Sequence, residues 1–329
     1  MEWNKLYVGD ALEQVCRLPD ESVRCTVASP PYFRQRDYGV AGQWGQEKDP
    51  DEYVHHLVML CREVRRVLTA DGTLWMNLGD SYCRHSRGER LGARYRHKKG
   101  HAGPPVGVYE GCKPKDLLGV PWMVAFALRK DGWYLRQDII WFKTNPMPES
   151  VKDRCTRSHE YIFMFSKSQR YYYDHLAIAT PLSASVLRRM GNAKARQRGG
   201  HGVYGKANGP QKAAYSVAKQ DGHGRRASGF NERGMEKKLV ANRKSVWPMA
   251  TAMSKEDHYA VSPALIPQLC IKAGSAVGDT ILDPFMGTGT AVMEASVLGR
   301  RYIGIDLNPK NVGIAERRLR RLEGLFYRG

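Results

Sequence analysis

Two short motifs contain most of the residue types in this chain that could do chemistry. Ser29-Pro-Pro-Tyr32 directly follows the apolar run Val23 to Ala28. Much later in the chain, Asp283-Pro-Phe-Met-Gly-Thr-Gly-Thr290 follows a second strand-like run. In open α/β sheets, ligands and catalytic groups lie in the loops just past the carboxyl ends of the strands. The two motifs therefore predict two halves of one active site.

The second motif lies in a unit that is typical of nucleotide binding. The pattern predicts a strand over 279–282, a helix over 290–298 and a strand over 301–305 that is followed by Asp306. In dinucleotide-binding proteins, such a unit carries Gly-x-Gly-x-x-Gly, and an acid about 20 residues further on binds a ribose hydroxyl. Asp306 fits the position of that acid.

The glycine pattern itself is incomplete, which argues against a pyrophosphate ligand. Gly287 and Gly289 match it, but Val292 occupies the third glycine position. The carboxylate of Asp283 would repel a pyrophosphate and would favour a ligand with an ammonium or sulfonium group. S-adenosylmethionine has both groups, and it has a ribose for Asp306. We therefore expect this cofactor, and a nucleotide-dependent oxidoreductase is the weaker alternative.

Alternating helix and strand patterns predict the scaffold that positions these motifs. Strands are predicted over 5–8, 23–29, 73–78, 134–142 and 160–165, and helices from 11 and over 51–68, 116–128 and 263–273. Ala70-Asp71-Gly72 is expected to separate a helix from the next strand. Trp141, Phe142, Phe163 and Phe165 are expected to fill the core. The alternation predicts an α/β fold with a mostly parallel, doubly wound sheet.

The charge distribution favours a polyanionic partner. The chain of 329 residues has 52 Lys and Arg against 33 Asp and Glu, a formal net charge of +19. Two basic, glycine-containing segments, 84–107 and 185–245, interrupt the helix and strand pattern. In the second, 15 Lys and Arg accompany only three acids. Such segments can neutralise phosphates and predict contacts with DNA, with a solvated linker as the alternative.

Cysteine spacing and hydropathy bear on the metal content and the cellular location of the protein. The seven cysteines stand singly, without the spacing of a zinc site, so we expect reduced core residues and no metal. No uncharged run approaches the ~20 residues that span a bilayer, and the first residues lack the apolar stretch of a signal peptide. These features predict a cytoplasmic protein without a membrane partner.

With both motifs in place, the chain resembles the β group of amino-methylating DNA methyltransferases, the N4-cytosine and N6-adenine methylases of the Ser-Pro-Pro-Tyr type. In that group the catalytic motif precedes the cofactor motif. Segments 152–160, 242–247 and 258–263 add further likenesses, so nearly the whole chain is covered. The resemblance implies a Rossmann-like, S-adenosylmethionine-dependent methyltransferase fold with an inserted basic target-recognition region.

The resemblance also implies the site residues and the partner. The implied catalytic residues are Ser29, Pro30, Pro31 and Tyr32, and the implied cofactor-binding residues are Asp10, Asp283, Pro284, Phe285, Gly287, Gly289, Thr290, Asp306 and Asn308. Residues 1–174 would form the catalytic half, 175–245 the inserted DNA-binding region and 246–329 the cofactor half. Double-stranded DNA is the implied partner. A companion restriction endonuclease and the choice between monomer and dimer stay open.

The implied reaction is methylation of an exocyclic amine on a base that is flipped out of the duplex. Because the amine lone pair is delocalised into the ring, positioning should dominate and no covalent intermediate is expected. By resemblance, Ser29 Oγ and the Pro30 carbonyl accept hydrogen bonds from the amine, and Tyr32 stacks on the base. Serine at the first position favours cytosine, with adenine N6 as the alternative. A DNA-binding protein without catalysis is a further alternative.

Two other residues have two interpretations each. Asp80, after the strand 73–78, either contacts the site or caps the following turn. His258 either lines the cofactor pocket or lies on the surface as a hydrogen-bonding residue.

Overall fold

The computed structural model describes residues 3–83, 109–185, 240–251 and 263–326. Contacts between Cα atoms divide the chain into two compact units, one formed by Met1–Asp174 with Lys244–Gly329 and the other by His175–Arg243. The basic segment 84–107, most of 185–245 and His258 lie outside the described residues.

Ten strands are found in the described ranges. They are β1 (Lys5–Val8), β2 (Val23–Ala28), β3 (Leu68–Leu78), β4 (Tyr134–Lys143), β5 (His159–Ser166), β6 (Thr180–Pro181), β7 (Val240–Ala241), β8 (Val246–Met249), β9 (Thr280–Asp283) and β10 (Arg301–Asp306). The first unit holds an eight-stranded sheet in the order β1-β10-β9-β2-β3-β5-β4-β8. All neighbouring strands are parallel, except that β5 is antiparallel to β3 and β4. The predicted mostly parallel sheet is confirmed. In the second unit, β6 and β7 form an antiparallel pair.

The helices of the described ranges cover both faces of the sheet. They are α1 (Ala11–Cys16), α2 (Pro50–Val67), α3 (Val120–Lys130), α4 (Leu265–Gly274), α5 (Thr290–Val297) and α6 (Pro309–Phe326). Successive side chains of a strand point to opposite faces. In β3, Met76 joins the core beneath α2, whereas Trp75 lies on the opposite face beside Gly274 of α4. The sheet is therefore doubly wound, as predicted.

Helix α2 shows how local sequence builds this core. Asp49 accepts a hydrogen bond from the backbone N–H of Glu52 at 2.8 Å, and Pro50 occupies the first turn, where no intrahelical N–H partner is needed. Its buried side chains recur at helical spacing and form one apolar stripe: Tyr53, Leu57, Leu60, Cys61, Val64 and Val67. This stripe packs into the main core cluster.

Two predicted boundaries were wrong. Strand β3 begins at Leu68, directly after α2, because Ala70-Asp71-Gly72 forms an irregularity inside the strand and not a turn before it. The side chain of Asp71 there forms an ion pair with Arg24 of β2. Helix α3 begins at Val120 and not at 116, because Gly119 adopts a left-handed conformation with φ 75°.

Several single-residue predictions are settled by burial. Phe163 and Phe165 are fully buried and Trp141 is 5% exposed, as predicted, but Phe142 is 42% exposed because it alternates with Trp141 on β4. Four cysteines are buried, namely Cys25, Cys61, Cys83 and Cys270, whereas Cys16 and Cys155 are exposed, so the prediction of core cysteines was wrong for those two. In the described ranges, no helix has the length and apolarity to cross a bilayer, and no cluster of potential metal ligands occurs.

Candidate active site

A cavity of about 480 Å³ lies past the carboxyl ends of β1, β2, β9 and β10. These ends share one edge because parallel pairing joins β1 to β10, β10 to β9 and β9 to β2. The pairing of β2 with β9, in which Cys25 faces Ile281 and Thr26 faces Leu282, places the two motifs side by side. The structure thus joins in one cavity two motifs that are distant in sequence.

Most of the predicted site residues line this cavity. They are Asp10, Ser29, Pro30, Pro31, Tyr32, Asp283, Pro284, Phe285, Gly287, Thr290, Asp306 and Asn308. Gly289 is not among the lining residues. It precedes α5 with φ 84°, and a Cβ there would lie 2.7 Å from the Cβ of Ala315, so it permits close packing of the turn against α6.

The side of the cavity formed by the loops after β9 and β10 is acidic; we call it the cofactor side. Asp283 is 6% exposed, and its Oδ1 accepts a hydrogen bond from the backbone N–H of Phe285 at 3.1 Å. Burial raises the pKa of Asp283 to about 7, opposed by this hydrogen bond, and the charge of Asp306 raises it further. A cationic ligand would favour the ionised form of this carboxyl group.

Asp306 ties the glycine-rich turn to the end of β10. Its Oδ2 accepts a hydrogen bond from the backbone N–H of Gly287 at 2.9 Å. Its Oδ1 accepts from the backbone N–H of Asn308 at 2.8 Å and from Asn311 Nδ2 at 3.0 Å. The carboxylate is therefore held by groups that are close to it in the loop and in the first turn of α6.

A tryptophan that the sequence analysis did not single out completes this side. Asp10 caps α1 by accepting from the backbone N–H of Leu12, and its other oxygen accepts from Trp44 Nε1 at 2.7 Å. The Trp44 ring meets Phe285 edge-on, with ring centroids 5.4 Å apart. Trp44 stands between Gly42 and Gly45, both with positive φ, and an aromatic residue in such a tight loop could have served as a signal.

The Ser29–Tyr32 loop forms the opposite side of the cavity, which we call the catalytic side. The hydroxyl of Tyr53 donates a hydrogen bond to the Pro31 carbonyl at 2.9 Å. The hydroxyl of Tyr32 donates to Glu160 Oε2 at 2.6 Å and accepts from Asn77 Nδ2 at 2.7 Å. Burial raises the pKa of Tyr32 well above its usual range, and the charge of Glu160 raises it further. The phenol therefore stays protonated at neutral pH.

The wall of the catalytic side comes from strands that the sequence analysis treated only as scaffold. The lining side chains there are Trp75, Asn77, Trp141, Lys143, Glu160 and Ile162. They alternate along β3, β4 and β5, so they share one face of the sheet. Glu160 lies in the likeness segment 152–160, and a carboxylate at the start of an apolar strand could have marked it. Asp80, by contrast, lies outside the lining and accepts from the backbone N–H groups of Gly119 and Val120 at the start of α3.

Comparisons with known proteins show the family of this chain. A family model described as DNA methylase, that of the N6/N4 methyltransferases, matches residues 23–317. This chain belongs to that family. M.SmaI of Serratia marcescens, a Type II methyltransferase, is 42% identical to the methylase over 320 residues, which are 96% of this chain and 91% of the relative.

Solved structures confirm the fold of the methylase. The cytosine-N4-specific PvuII DNA methyltransferase has a TM-score of 0.60 at 17% identity, covering 96% of this chain and 86% of that one. A putative DNA modification methylase of Thermus thermophilus, complexed with S-adenosyl-L-methionine, has a TM-score of 0.55 at 21% identity, covering 97% and 93%. The Rossmann-like methyltransferase fold is therefore established.

S-adenosylmethionine is the cofactor of this fold, and the cavity suits it. The buried Asp283, with its raised pKa, can compensate a cationic group, and the carboxylate of Asp306 is a suitable acceptor for sugar hydroxyls. Phe285 and Trp44 present apolar ring surface beside these acids. The residue types present thus match a cationic nucleoside.

Proposed function

We propose that this methylase transfers a methyl group from S-adenosylmethionine to the exocyclic N4 amine of a cytosine that is flipped out of duplex DNA. One observation carries the proposal: the Ser29–Tyr32 loop and the Asp283 loop line a single cavity because β2 pairs with β9. Acceptors for an amine and acids for a cationic nucleoside therefore occupy one site.

The cofactor side would bind and orient the nucleoside. When bound, S-adenosylmethionine supplies a methyl group activated by the positive charge on its sulfur. Ionised Asp283 would attract the cationic groups, and Asp306 would accept from the ribose hydroxyls. The remaining proposed contacts are with Asp10, Pro284, Phe285, Gly287, Gly289, Thr290 and Asn308, of which Gly289 would contribute by shaping the turn.

The catalytic side would hold the target amine. Ser29 Oγ and the Pro30 carbonyl would accept hydrogen bonds from it, which directs its lone pair away from the loop and toward the cofactor side. Two consecutive prolines stiffen the loop, and Tyr53 fixes it through the Pro31 carbonyl at 2.9 Å. Tyr32 would stack on the flipped base. Positioning of this kind accounts for transfer without a covalent intermediate.

Two features support cytosine as the target base. The first is Ser29, which occupies the motif position where the β group mostly has serine for cytosine and aspartate for adenine. The second is the similarity in fold to the cytosine-N4-specific PvuII enzyme. The order of the motifs, with Ser29 before Asp283, supports the proposal that the chain belongs to the β group.

We further propose that DNA is read by the inserted region 175–245, with help from the basic loop 84–107. The support is their sequence: 185–245 contains 15 Lys and Arg against three acids, which suits phosphate contacts. In this proposal 1–174 and 246–329 are the catalytic and cofactor halves of one methyltransferase domain. We also propose a cytoplasmic location and a companion restriction endonuclease, as in a restriction-modification system.

The test is nucleoside mass spectrometry of mixed-sequence DNA after incubation with isotopically labelled S-adenosylmethionine. Labelled N4-methylcytosine is the expected product. Labelled N6-methyladenine would overturn the choice of base, and no label in any nucleoside would overturn the activity. Ser29→Ala should abolish labelling without changing the melting temperature. Ser22→Ala is the matched control, because Ser22 lies outside the cavity lining and donates to the Pro19 carbonyl.

A further inference from the structure

A hydrogen-bonded network joins Tyr32 of the first motif to three side chains in the wall of the catalytic side. Glu160 is its centre and is 9% exposed. Its Oε2 accepts from the Tyr32 hydroxyl at 2.6 Å and from Asn77 Nδ2 at 3.0 Å, and its Oε1 accepts from Lys143 Nζ at 2.6 Å. Asn77 Nδ2 also donates to the Tyr32 hydroxyl at 2.7 Å. The network therefore links the catalytic loop to three strands.

The three strands give this network a fixed geometry. In the antiparallel ladders on either side of β5, Glu160 faces Trp141 of β4, and Ile162 faces Asn77 of β3. Side chains two residues apart on a strand share a face, so Asn77, Lys143 and Glu160 all reach the cavity from a rigid sheet. Sites supported by strands are held more closely than sites supported by loops alone. Glu160 therefore adds an anchor on a rigid sheet to a loop that its two prolines already stiffen.

The chemistry of the network leaves Tyr32 little freedom. Because its raised pKa keeps the phenol protonated, the hydroxyl donates to the Glu160 carboxylate, and a hydrogen bond to a charged acceptor is stronger than a neutral one. The Tyr32 ring also packs against Gly79, where a Cβ would lie 2.6 Å from Cδ2 and from Cε2 of the ring. Tyr32 is thus fixed at its hydroxyl and along one edge.

We propose that Glu160 is a positioning residue for methyl transfer. Held by Lys143, it fixes Tyr32, and through Tyr32 it fixes the preceding segment with Ser29 Oγ and the Pro30 carbonyl. This inference rests on the proposed function of that loop. Glu160 lies outside both motifs. Its role differs from that of a purely structural ion pair because it affects the rate of methyl transfer.

The experiment uses the full chain and measures three quantities for each variant. They are the single-turnover rate of methyl transfer to mixed-sequence DNA at saturating labelled S-adenosylmethionine, the dissociation constant of that cofactor by calorimetry, and the melting temperature. Glu160→Gln keeps the size of the side chain but removes its charge and replaces one of its two acceptor oxygens with an NH2 donor. We expect the rate to fall roughly 10- to 100-fold, because misplacement of a reacting group by about 1 Å has effects of that order. Cofactor affinity should stay unchanged. The melting temperature should fall, because Lys143 loses its charged partner.

A double-mutant cycle with Tyr32→Phe tests the route of the effect. If Glu160 acts through the Tyr32 hydroxyl, Tyr32→Phe lowers the rate by itself, and adding Glu160→Gln lowers it no further. Glu294→Gln is the matched control, since Glu294 is a partly buried, hydrogen-bonded glutamate outside the cavity lining. It should leave the rate unchanged.

Three results would overturn the inference. They are a wild-type rate in Glu160→Gln, rate losses that multiply in the double variant, or a loss of cofactor affinity that parallels the loss of rate. Should Glu160→Gln fail to fold, Tyr32→Phe alone decides, because an unchanged rate there excludes a role for the hydroxyl. Absence of labelling by the wild-type protein would instead overturn the proposed function, so the two failures are distinguishable.

Discussion

The cofactor side and the catalytic side of the cavity are stabilised in different ways. On the cofactor side, Asp283 accepts from Phe285 and Asp306 from Asn308, each two residues away, and the longer contacts, from Gly287 to Asp306 and from Trp44 to Asp10, span 19 and 34 positions. On the catalytic side, the Tyr32 hydroxyl meets Asn77 45 positions away and Glu160 128 positions away. The first side therefore combines local turns with contacts of moderate sequence separation, whereas the second is a loop held by strands that are farther away in sequence.

This difference has consequences for what a mutation should change. Side chains of the cofactor side carry charge toward the cavity, so their loss should alter cofactor affinity. In the proposed function, the side chains that support the catalytic loop do not bind the cofactor. Their loss should therefore lower the rate of methyl transfer and leave cofactor affinity unchanged.

Asp283→Asn should separate the two sides most strongly. It removes a buried charge that would attract a cationic ligand. A hydrogen bond to a charged group contributes about 1.5–3 kcal/mol. We expect S-adenosylmethionine affinity to fall roughly 10- to 100-fold, measured by calorimetry at pH 8.

The same variant should melt at a higher temperature than the wild type at pH 8. The pKa of Asp283 is raised from the ordinary 3.8 to about 7 in the folded protein, so this group lowers stability progressively between those pH values, and the full loss is present at pH 8. A lower melting temperature together with unchanged affinity would contradict the assignment of Asp283 to the cofactor side.

The pH dependence of cofactor affinity is the next prediction. Because Asp283 carries its proton below a pKa of about 7, its attraction for a cationic ligand weakens as the pH falls. Between pH 8 and pH 6 we expect affinity to fall about tenfold, since one pH unit on either side of a pKa changes the ionised fraction by that order. Calorimetry over this range tests it, and Asp283→Asn should show a flat profile.

Trp44→Phe should weaken cofactor binding by a smaller factor. The change removes the hydrogen bond from Trp44 Nε1 to Asp10. It also reduces the area of the edge contact with Phe285, because the phenyl ring is smaller than the indole. One hydrogen bond contributes about 0.5–1.5 kcal/mol, so we expect a loss of roughly two- to tenfold in affinity. Trp122→Phe is the control, since Trp122 packs against Tyr161 and Phe163, outside the cavity lining. Equal losses in both variants would argue against a specific role for Trp44.

Tyr53→Phe should give the smallest effect, and on the other side of the cavity. It removes the hydrogen bond to the Pro31 carbonyl and leaves the aromatic packing of Tyr53 against Phe33. One hydrogen bond contributes about 0.5–1.5 kcal/mol, so we expect the single-turnover rate to fall by a few fold. Cofactor affinity should stay unchanged. Tyr134→Phe, at an exposed position, is the control. A change confined to affinity would contradict the separation of the two sides.

The sequence singled out residues on both sides of the cavity and missed one supporting side chain on each side, for a physical reason. Local turns depend on residues that are near each other, so Asp283, Gly287 and Asp306 could be found from their spacing. Trp44 and Glu160 were not singled out, because their roles depend on contacts across the fold. Likewise, Ala70-Asp71-Gly72 was predicted to be a turn, but pairing with β2 kept it within β3.

The amino-acid sequence by itself determined the α/β class, the positions of most helices and strands, and the two motifs, because periodicity and turn residues act over short distances. Only the tertiary structure shows the pairing of β2 with β9, which brings the two motifs, predicted to be halves of one site, into one cavity. It alone also decided which side chains support Tyr32. That choice follows from the register of β3, β4 and β5, which sets the face on which Asn77, Lys143 and Glu160 emerge.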